Sequence, residues 1–241
     1  MKNLLLRGSA TTPLHLDHII GAGNDRNCWQ HPNHADLCIK VANQQLERDQ
    51  NKIESHYWQH LQKHGIHRSV HLPDYYGWAH TDKGEGLIYE LVHDFDGTPS
   101  PTIFQACESG LISYDQGREF VTEAFNWMLD NNVILADYGS DNMLLRTHDD
   151  GSRSLVFIDG LGARDLNFQY WLRRTFGFKA RKKTRQFFHK TLSLLQHQEL
   201  TGQRPPNKKR HGFSKRQTDC GDKYYDYYTS HPTSHRTEGR A

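Results

Sequence analysis

The order of a few residue types along this chain constrains its fold and chemistry more than any single motif does. A glycine turn, Ile20-Gly21-Ala22-Gly23, is followed by a strand-like segment, Leu37-Cys38-Ile39-Lys40-Val41. Asp137 and Asn142 lie five residues apart, and Asp159 follows another apolar segment. About one Asp-x4-Asn pair is expected by chance in such a chain, so this pair has weight only in combination with the other pieces. Together they predict a site of phosphate chemistry.

Length and composition bound the class of protein. A chain of 241 residues forms one medium domain or a small two-lobed one with a substantial core. Mean hydropathy is low, at −0.84, partly because of a polar tail over residues 201–241, which we predict to be disordered. The cysteines at positions 28, 38, 107 and 220 have no CxxC spacing, so a reducing cytoplasm is expected rather than a disulfide framework. No signal peptide or transmembrane segment is predicted.

The charge of the chain is unevenly distributed. Between Arg173 and Arg216 there are fourteen Lys and Arg and a single acid, Glu199, which gives this stretch +13. Because the whole chain carries +2, the remainder carries −11. Such asymmetry favours an anionic partner such as lipopolysaccharide, a membrane surface or nucleic acid, and would place the protein peripherally at the inner membrane. The other interpretation is a solvated basic helix with a solubilising tail.

Hydrophobic patterning divides the chain into a sheet-forming part and a helical part. Five strand-like runs, at residues 14–20, 27–31, 37–41, 73–78 and 86–92, and a helix at 43–64 predict a small antiparallel sheet with one helix. A turn-rich connector at 93–99 precedes predicted helices at 119–129 and 168–200, with short strands at 143–145 and 155–158 between them. We therefore predict a two-lobed α+β domain over residues 1–200, with lobes at about 12–93 and 98–200.

Gly21 and Gly23 permit a tight turn and a close approach of the backbone to phosphate groups. A Gly-x-Gly sequence alone is weak, since most are ordinary hairpin turns. This one lies between two predicted strands, and Arg26 occupies the place of a third glycine. A cation there would either add a phosphate contact or crowd the loop.

Lys40 lies in an apolar strand, where a buried ammonium group is costly unless it is paired. Glu54, beside the apolar Ile53 and Tyr57 on the following helix, is the predicted partner, and Glu47 is the alternative. The functional interpretation is a lysine that holds nucleotide phosphates and is positioned by a helical glutamate.

Three oxygen-bearing side chains complete the predicted site. Asp137 follows an apolar strand and could accept the proton of an incoming hydroxyl group or orient that group. Asn142 offers a neutral oxygen ligand for Mg²⁺, and Asp159 offers a charged one. A hairpin between the last two would bring them together. The alternative is that such Asp and Asn residues simply form turns.

This ordered set resembles the protein-kinase-like superfamily, and in detail the YrbL family of bacterial PhoP regulatory network proteins. The resemblance rests on the segments IGAGNDRNCWQHPNHADLCIKV, YELVHDFDG, and NNVILADYGSDNMLL to VFIDGLG, and it covers roughly residues 14–200. It implies a two-lobed kinase-like fold with ATP and Mg²⁺ as cofactors. By position, the backbone groups of Glu90 and Val92 would read adenine, and Tyr89 would line the back of that pocket.

Departures from the kinase pattern define the functional alternatives. Leu135 and Ala136 replace the His-Arg that precedes the catalytic aspartate, Gly160 replaces the Phe of Asp-Phe-Gly, and there is no Ala-Pro-Glu. A phosphotransferase with a hydroxyl acceptor other than protein is therefore expected, with a regulatory pseudokinase as the alternative. A third hypothesis, nucleic-acid binding, rests on aromatic residues interleaved with the basic stretch. These are Phe168, Tyr170, Trp171, Phe176 and Phe178.

Overall fold

The protein is an α+β structure with an antiparallel sheet and several helices. The computed structural model describes residues 2–23, 25–43, 49–135, 139–162 and 177–204. A sheet-containing part precedes a mainly helical part, an arrangement compatible with the two lobes that the sequence predicts. Within the described ranges, no helix is both long and apolar enough to cross a membrane.

Five antiparallel strands form the main sheet in the order β1-β2-β3-β5-β4. They are β1 (Ile19–Ala22), β2 (Arg26–Gln30), β3 (Leu37–Ala42), β4 (Tyr75–Thr81) and β5 (Gly84–Glu90). Each corresponds to a predicted strand, but the first begins at residue 19 rather than 14. Leu14 and Leu16 are buried like strand residues, yet Leu14 makes only an isolated bridge to Thr81. Leu14 and Leu16 are thus buried without a continuous strand ladder, which explains why the predicted strand began too early.

Helix α2 (Gln50–Lys63) follows β3 and packs on the inner face of the sheet. Asp49 caps it by accepting a hydrogen bond from the Lys52 N–H at 3.1 Å. Its buried face includes Ile53 and Tyr57, as the helical period predicts. The sequence predicts this helix from residue 43; residues 44–48, including Glu47, lie outside the described part of the chain.

The helical part contains α3 (Ile103–Glu108), α4 (Tyr114–Asp130) and α5 (Gly177–Thr201). Thr102 and Ser113 begin α3 and α4 with reciprocal capping boxes, in which the residue three positions on returns a bond to the cap. The Ser113 cap explains why α4 starts five residues before its predicted boundary at 119. Neither the six-residue α3 nor α1 (Lys2–Arg7) is predicted. The predicted helical residues 168–176 and the tail from 205 lie outside the described ranges.

A short hairpin joins the two parts. Strands β6 (Met143–Thr147) and β7 (Arg153–Phe157) pair antiparallel. The Phe157 N–H donates to the His71 carbonyl at 2.9 Å, and the Ile134 N–H donates to the Tyr57 hydroxyl of α2 at 2.6 Å. These bonds fix the end of β7 beside the inner face of the sheet, which is where the candidate site lies.

Candidate functional site

The turn between β1 and β2 is shorter than the sequence suggests, because β1 continues to Ala22. Gly21 lies within β1, opposite Cys28, rather than in the turn. Gly23 does belong to the turn, and its N–H donates to the Arg26 carbonyl at 2.8 Å. A Cβ at position 23 would lie 2.9 Å from that carbonyl oxygen, so the close approach requires glycine.

Lys40 reaches from β3 to the end of the β6–β7 hairpin. Its side chain is 12% exposed, and Nζ donates to the Ile158 carbonyl at 2.6 Å. The same nitrogen lies 3.9 Å from Glu54 Oε1 and 3.9 Å from Asp159 Oδ1, and 4.7 Å from the centre of the Tyr89 ring. The structure therefore brings Lys40, Glu54 and Asp159 together at one place, although they are far apart in sequence.

Arg26 is a central residue of this site, although the sequence identified it only as a cation on the loop in place of a third glycine. Its side chain is 7% exposed, and Nη1 lies 2.6 Å from Glu54 Oε2. Nη2 pairs with Asp159 Oδ1, and Nη1 also lies 3.4 Å from the Asn51 amide oxygen. Burial alone would lower the pKa of Arg26, but the charges of Glu54 and Asp159 outweigh it and raise that pKa. The guanidinium group is held as a fixed positive charge.

Glu54 is shared among three side chains. It is 2% exposed on α2, so an unpaired charge there would be costly. Oε2 binds Arg26, while Oε1 accepts a hydrogen bond from the Tyr89 hydroxyl at 2.6 Å and lies 3.9 Å from Lys40. Burial and then the Glu54 charge raise the pKa of Tyr89 well above its ordinary value, so the phenol remains a donor. We call Arg26, Lys40, Glu54 and Asp159 the charge cluster.

The hairpin places Asn142 and Asp159 at the same end of β6 and β7. The register pairs the first residue of β6 with the last of β7, and the Ile158 N–H donates to the Asn142 carbonyl at 3.0 Å. Asp159 is 46% exposed, and its Oδ1 accepts from the Gly160 N–H at 2.9 Å. Asn142 ends a 3-10 turn over Ser140–Asn142. Asp137 lies outside the described residues.

Oxygen donors of this kind suit Mg²⁺, which takes carboxylate and amide oxygens together with water and phosphate. Asp159 and Asn142 provide such donors, although Arg26 binds the Asp159 carboxylate. No set of three or more His, Cys, Asp or Glu side chains in the described ranges could hold a metal ion. A metal here would have Asp159 and Asn142 as its side-chain ligands among the described residues, and water or nucleotide phosphates would complete its coordination.

The segment predicted to read adenine lies at the end of β5. The Glu90 carboxylate accepts from Arg146 at 2.6 Å and from the Asp74 N–H at 3.1 Å. Val92 is 4% exposed and packs against β6 and β7. The Val92 N–H makes no backbone hydrogen bond within the described residues. The backbone of this segment thus passes beside the hairpin, one strand away from Lys40.

The structure describes the predicted basic stretch only over residues 177–204, where Arg204 pairs with Glu108 and α5 holds the other basic residues. That helix buries Thr184, Thr191 and Leu195, while Arg181 and Arg185 are exposed. The remaining basic residues at 173–176 and 205–216, and the aromatic residues at 168–176, lie outside the described part. The anionic partner therefore stays a prediction.

Fold and site together define an α+β protein in which a sheet, a helix and a hairpin enclose two cations and two carboxylates. The chain belongs to the family of the PhoP regulatory network protein YrbL, which it matches over residues 13–192. It is 28% identical to the uncharacterized protein YrbL of Escherichia coli (strain K12) over 166 residues, or 67% of this chain and 76% of the relative. The YrbL of Shigella flexneri has the same identity and coverage. The predicted YrbL relationship is thus confirmed.

Proposed function

We propose that this protein is a kinase-like phosphotransferase that uses ATP and Mg²⁺ to phosphorylate a hydroxyl acceptor. The observation that supports this proposal is the meeting of Lys40, Glu54 and Asp159 between the sheet and the hairpin. A lysine on a sheet, a glutamate on the next helix and an aspartate after a hairpin are the parts that kinase-like phosphoryl transfer uses.

Each residue of the proposal has one task. Lys40 would bind the α- and β-phosphates, and Glu54 would position it through their 3.9 Å contact. Asp159 and Asn142 would hold Mg²⁺, which when bound neutralises charge on the phosphates. Asp137 would orient the acceptor hydroxyl and accept its proton. Catalysis would then come mainly from positioning and charge.

The proposed adenine site uses the backbone. The Glu90 carbonyl and the Val92 N–H would bind the adenine edge, Tyr89 would lie behind it, and Gly21 and Gly23 would cover the phosphates. The Val92 N–H, which makes no backbone bond within the described residues, supports this assignment. Such a backbone edge reads adenine without a dedicated polar side chain.

The acceptor we favour is a small molecule, lipopolysaccharide or another compound that is not a protein. No Ala-Pro-Glu sequence follows Asp159, and no Ser or Thr lies between Asp159 and Arg174 for regulatory phosphorylation. The basic stretch would suit an anionic acceptor or a membrane surface. The proposed location is cytoplasmic, at the inner face of the membrane.

Arg26 favours a second candidate, a pseudokinase that acts as a regulatory binding module. Its guanidinium group binds both Glu54 and Asp159, the residues that would otherwise serve Lys40 and the metal. A protein fixed in that arrangement would bind nucleotide weakly or without metal.

Thermal unfolding with and without ATP and Mg²⁺, together with an assay of phosphate transfer or ATP hydrolysis, tests the proposal. At about 100 times its dissociation constant, the nucleotide should stabilise the wild type by roughly 2.7 kcal/mol. Asp159→Asn should lose this metal-dependent stabilisation. Asp137→Asn should keep ATP binding and lose about 10²- to 10⁴-fold in turnover. Asp149→Asn, at the opposite end of the hairpin, is the matched control and should change neither.

Turnover decides between the two candidates. A wild type that binds ATP but transfers phosphate to no hydroxyl acceptor or water, with no effect of Asp137→Asn, would support the pseudokinase. A wild type that neither binds nor hydrolyses ATP would contradict both.

A further inference from the structure

Arg26 and a divalent cation would bind the same carboxylate. Arg26 Nη2 contacts Asp159 Oδ1, the oxygen that also accepts from the Gly160 N–H at 2.9 Å and lies 3.9 Å from Lys40. Asp159 is the only carboxylate that the proposed function gives to Mg²⁺, with Asn142 as its neutral companion. Contact between Arg26 and Asp159 therefore bears directly on whether a metal can bind.

The charge balance of the cluster leads to the same conclusion. Two cations face two carboxylates, so the four groups sum to zero in the absence of any ligand. If Arg26 were neutral, the sum would be −1, which is the kind of site that attracts a divalent cation. Arg26 is 7% exposed, so water and salt screen its charge only weakly.

The Arg26 side chain could release Asp159 without movement of the backbone. Its backbone is fixed at the start of β2, where it pairs with Ala42 of β3 and accepts the Gly23 N–H. The contact to Glu54 at 2.6 Å would remain as an anchor. The Asp159 side chain is 46% exposed and Glu54 only 2%, so the Asp159 end of the bridge is the more accessible one.

We infer that Arg26 is a built-in competitor of the divalent cation: it holds Asp159 in the unliganded protein and must release it before a metal binds. The inference rests on the proposed function for its biological meaning, because competition by Arg26 would set the metal concentration that the site needs. Its physical content is independent of nucleotide, since it concerns one carboxylate and two competing cations.

The test measures binding of Mn²⁺ alone, which takes the same oxygen ligands as Mg²⁺ and is followed by the loss of its free-ion paramagnetic resonance signal. Arg26→Gln should bind Mn²⁺ about 10- to 100-fold more tightly than the wild type, the range that corresponds to one hydrogen bond with a charged group. Arg26→Lys keeps the charge but loses the two separate nitrogens that contact Glu54 and Asp159, so it should give a smaller gain. Adding Asp159→Asn to Arg26→Gln or to Arg26→Lys should abolish the gain in Mn²⁺ affinity.

Arg118→Gln is the matched control, because Arg118 also bridges two acids but lies on the helical surface. It should leave Mn²⁺ binding unchanged. Arg26→Gln leaves Glu54 without its closest cation, so Arg26→Gln/Glu54→Gln provides a second background. In it Asp159 is released from Arg26 but Lys40 and Asp159 sum to zero charge, so a gain smaller than that of Arg26→Gln alone is expected. Mn²⁺ binding that is equal or weaker in both Arg26 variants would overturn the inference.

The outcome separates this inference from the proposed function. If Arg26→Gln binds Mn²⁺ more tightly but ATP neither binds nor is hydrolysed, the competition is supported and the proposed phosphotransferase activity is contradicted. If Mg²⁺-dependent ATP binding and turnover occur and are equal in the wild type and Arg26→Gln, the proposed phosphotransferase activity is supported and the competition by Arg26 is contradicted.

Discussion

Two arginines of this protein each bridge two carboxylates, but their surroundings are opposite. Arg26 is 7% exposed and lies between Glu54, which is 2% exposed, and Asp159. Arg118 lies on α4 and is 31% exposed. Similar chemistry therefore occurs once between the sheet and the hairpin and once on the surface of the helices.

The surface bridge joins two helices. Arg118 donates to Asp115 one turn before it at 2.5 Å and to Glu199 of α5 at 2.7 Å. Arg118 is itself 31% exposed and its partners are 85% and 39% exposed, so water reaches both sides of each contact, whereas Arg26 and Glu54 are both buried. Hydrogen bonds to the two acids raise the pKa of Arg118, as the carboxylates do for Arg26, although the screening differs.

Both arginines contact two carboxylates, so the number of contacts does not predict how much each bridge contributes to the free energy of unfolding. Exposed pairs contribute about 0–1 kcal/mol, whereas removing one member of a buried pair costs about 3–5 kcal/mol because the other charge is left uncompensated. A buried pair is nevertheless weak as a source of net stability, since an apolar replacement is often as good. Net stability alone therefore does not account for the charge cluster.

The largest expected effect is the loss of stability in Glu54→Gln. This change removes the buried partner of Arg26 and should lower the free energy of unfolding by about 3–5 kcal/mol. Arg118→Gln should lower it by no more than about 1 kcal/mol. Urea denaturation of the two variants measures both values. Equal losses would show that burial does not distinguish the two bridges.

Lys40→Met should have the next largest effect on stability. The Lys40 ammonium group lies 3.9 Å from each carboxylate but donates to the Ile158 carbonyl at 2.6 Å. Leaving that carbonyl without its donor should cost about 1–3 kcal/mol, less than Glu54→Gln because Arg26 still neutralises the acids. ATP affinity should fall as well. If Lys40→Met keeps both its melting temperature and its ATP affinity, the proposed role of Lys40 in the site is contradicted.

The pKa values of two cysteine thiols, Cys28 in the sheet and Cys107 in the helical part, differ in the direction of their shift. Cys28 lies opposite Lys40 in the β2–β3 ladder; a hydrogen bond from Cys38, helped by the charges of Lys40 and Arg26, lowers the pKa of Cys28. Burial raises the pKa of Cys107 on α3 to about 11.

At pH 8, iodoacetamide should therefore alkylate Cys28 at least about tenfold faster than Cys107, because the thiolate is the nucleophile. The Cys107 rate should keep rising tenfold per pH unit up to about pH 11, whereas the Cys28 rate should level off earlier. Peptide mass mapping in a Cys220→Ser background gives both rates. Parallel pH profiles would show that the pKa of Cys28 is not lowered relative to that of Cys107.

The sequence predicted those parts of the site that follow from local rules. Short apolar runs bounded by turn residues identified the strands, and the cost of burying Lys40 required an acid, which pointed to Glu54. The hairpin between Asn142 and Asp159 followed from turn residues between two apolar runs. Each of these inferences uses neighbours in sequence or a single helix.

The bridge from Arg26 to Glu54 and Asp159 could not be predicted in the same way. It joins residues 28 and 133 positions apart, and the long side chain could equally have extended into solvent. Only the packing of α2 and the hairpin against the sheet decides its direction. The signal present in the sequence was an arginine at the position of a glycine, which indicates a difference without specifying the contact.

The smallest expected effect, a response to salt, separates the two bridges most cleanly. Raising NaCl from about 0.1 M to 1 M shortens the Debye length from about 10 Å to 3 Å, so exposed pairs are screened and buried pairs are affected much less. The coupling energy between Arg118 and Glu199, at most about 1 kcal/mol, should fall toward zero. That between Arg26 and Glu54 should change by only a few tenths of a kcal/mol.

Double-mutant cycles with Gln at each position, measured by urea denaturation at the two salt concentrations, give both coupling energies. A similar loss of both would mean that water reaches the Arg26–Glu54 contact, and Arg26 would then bind Asp159 too weakly to compete with a metal. Persistence of only the Arg26–Glu54 coupling would show that this contact is shielded from water and salt, as burial of both side chains predicts.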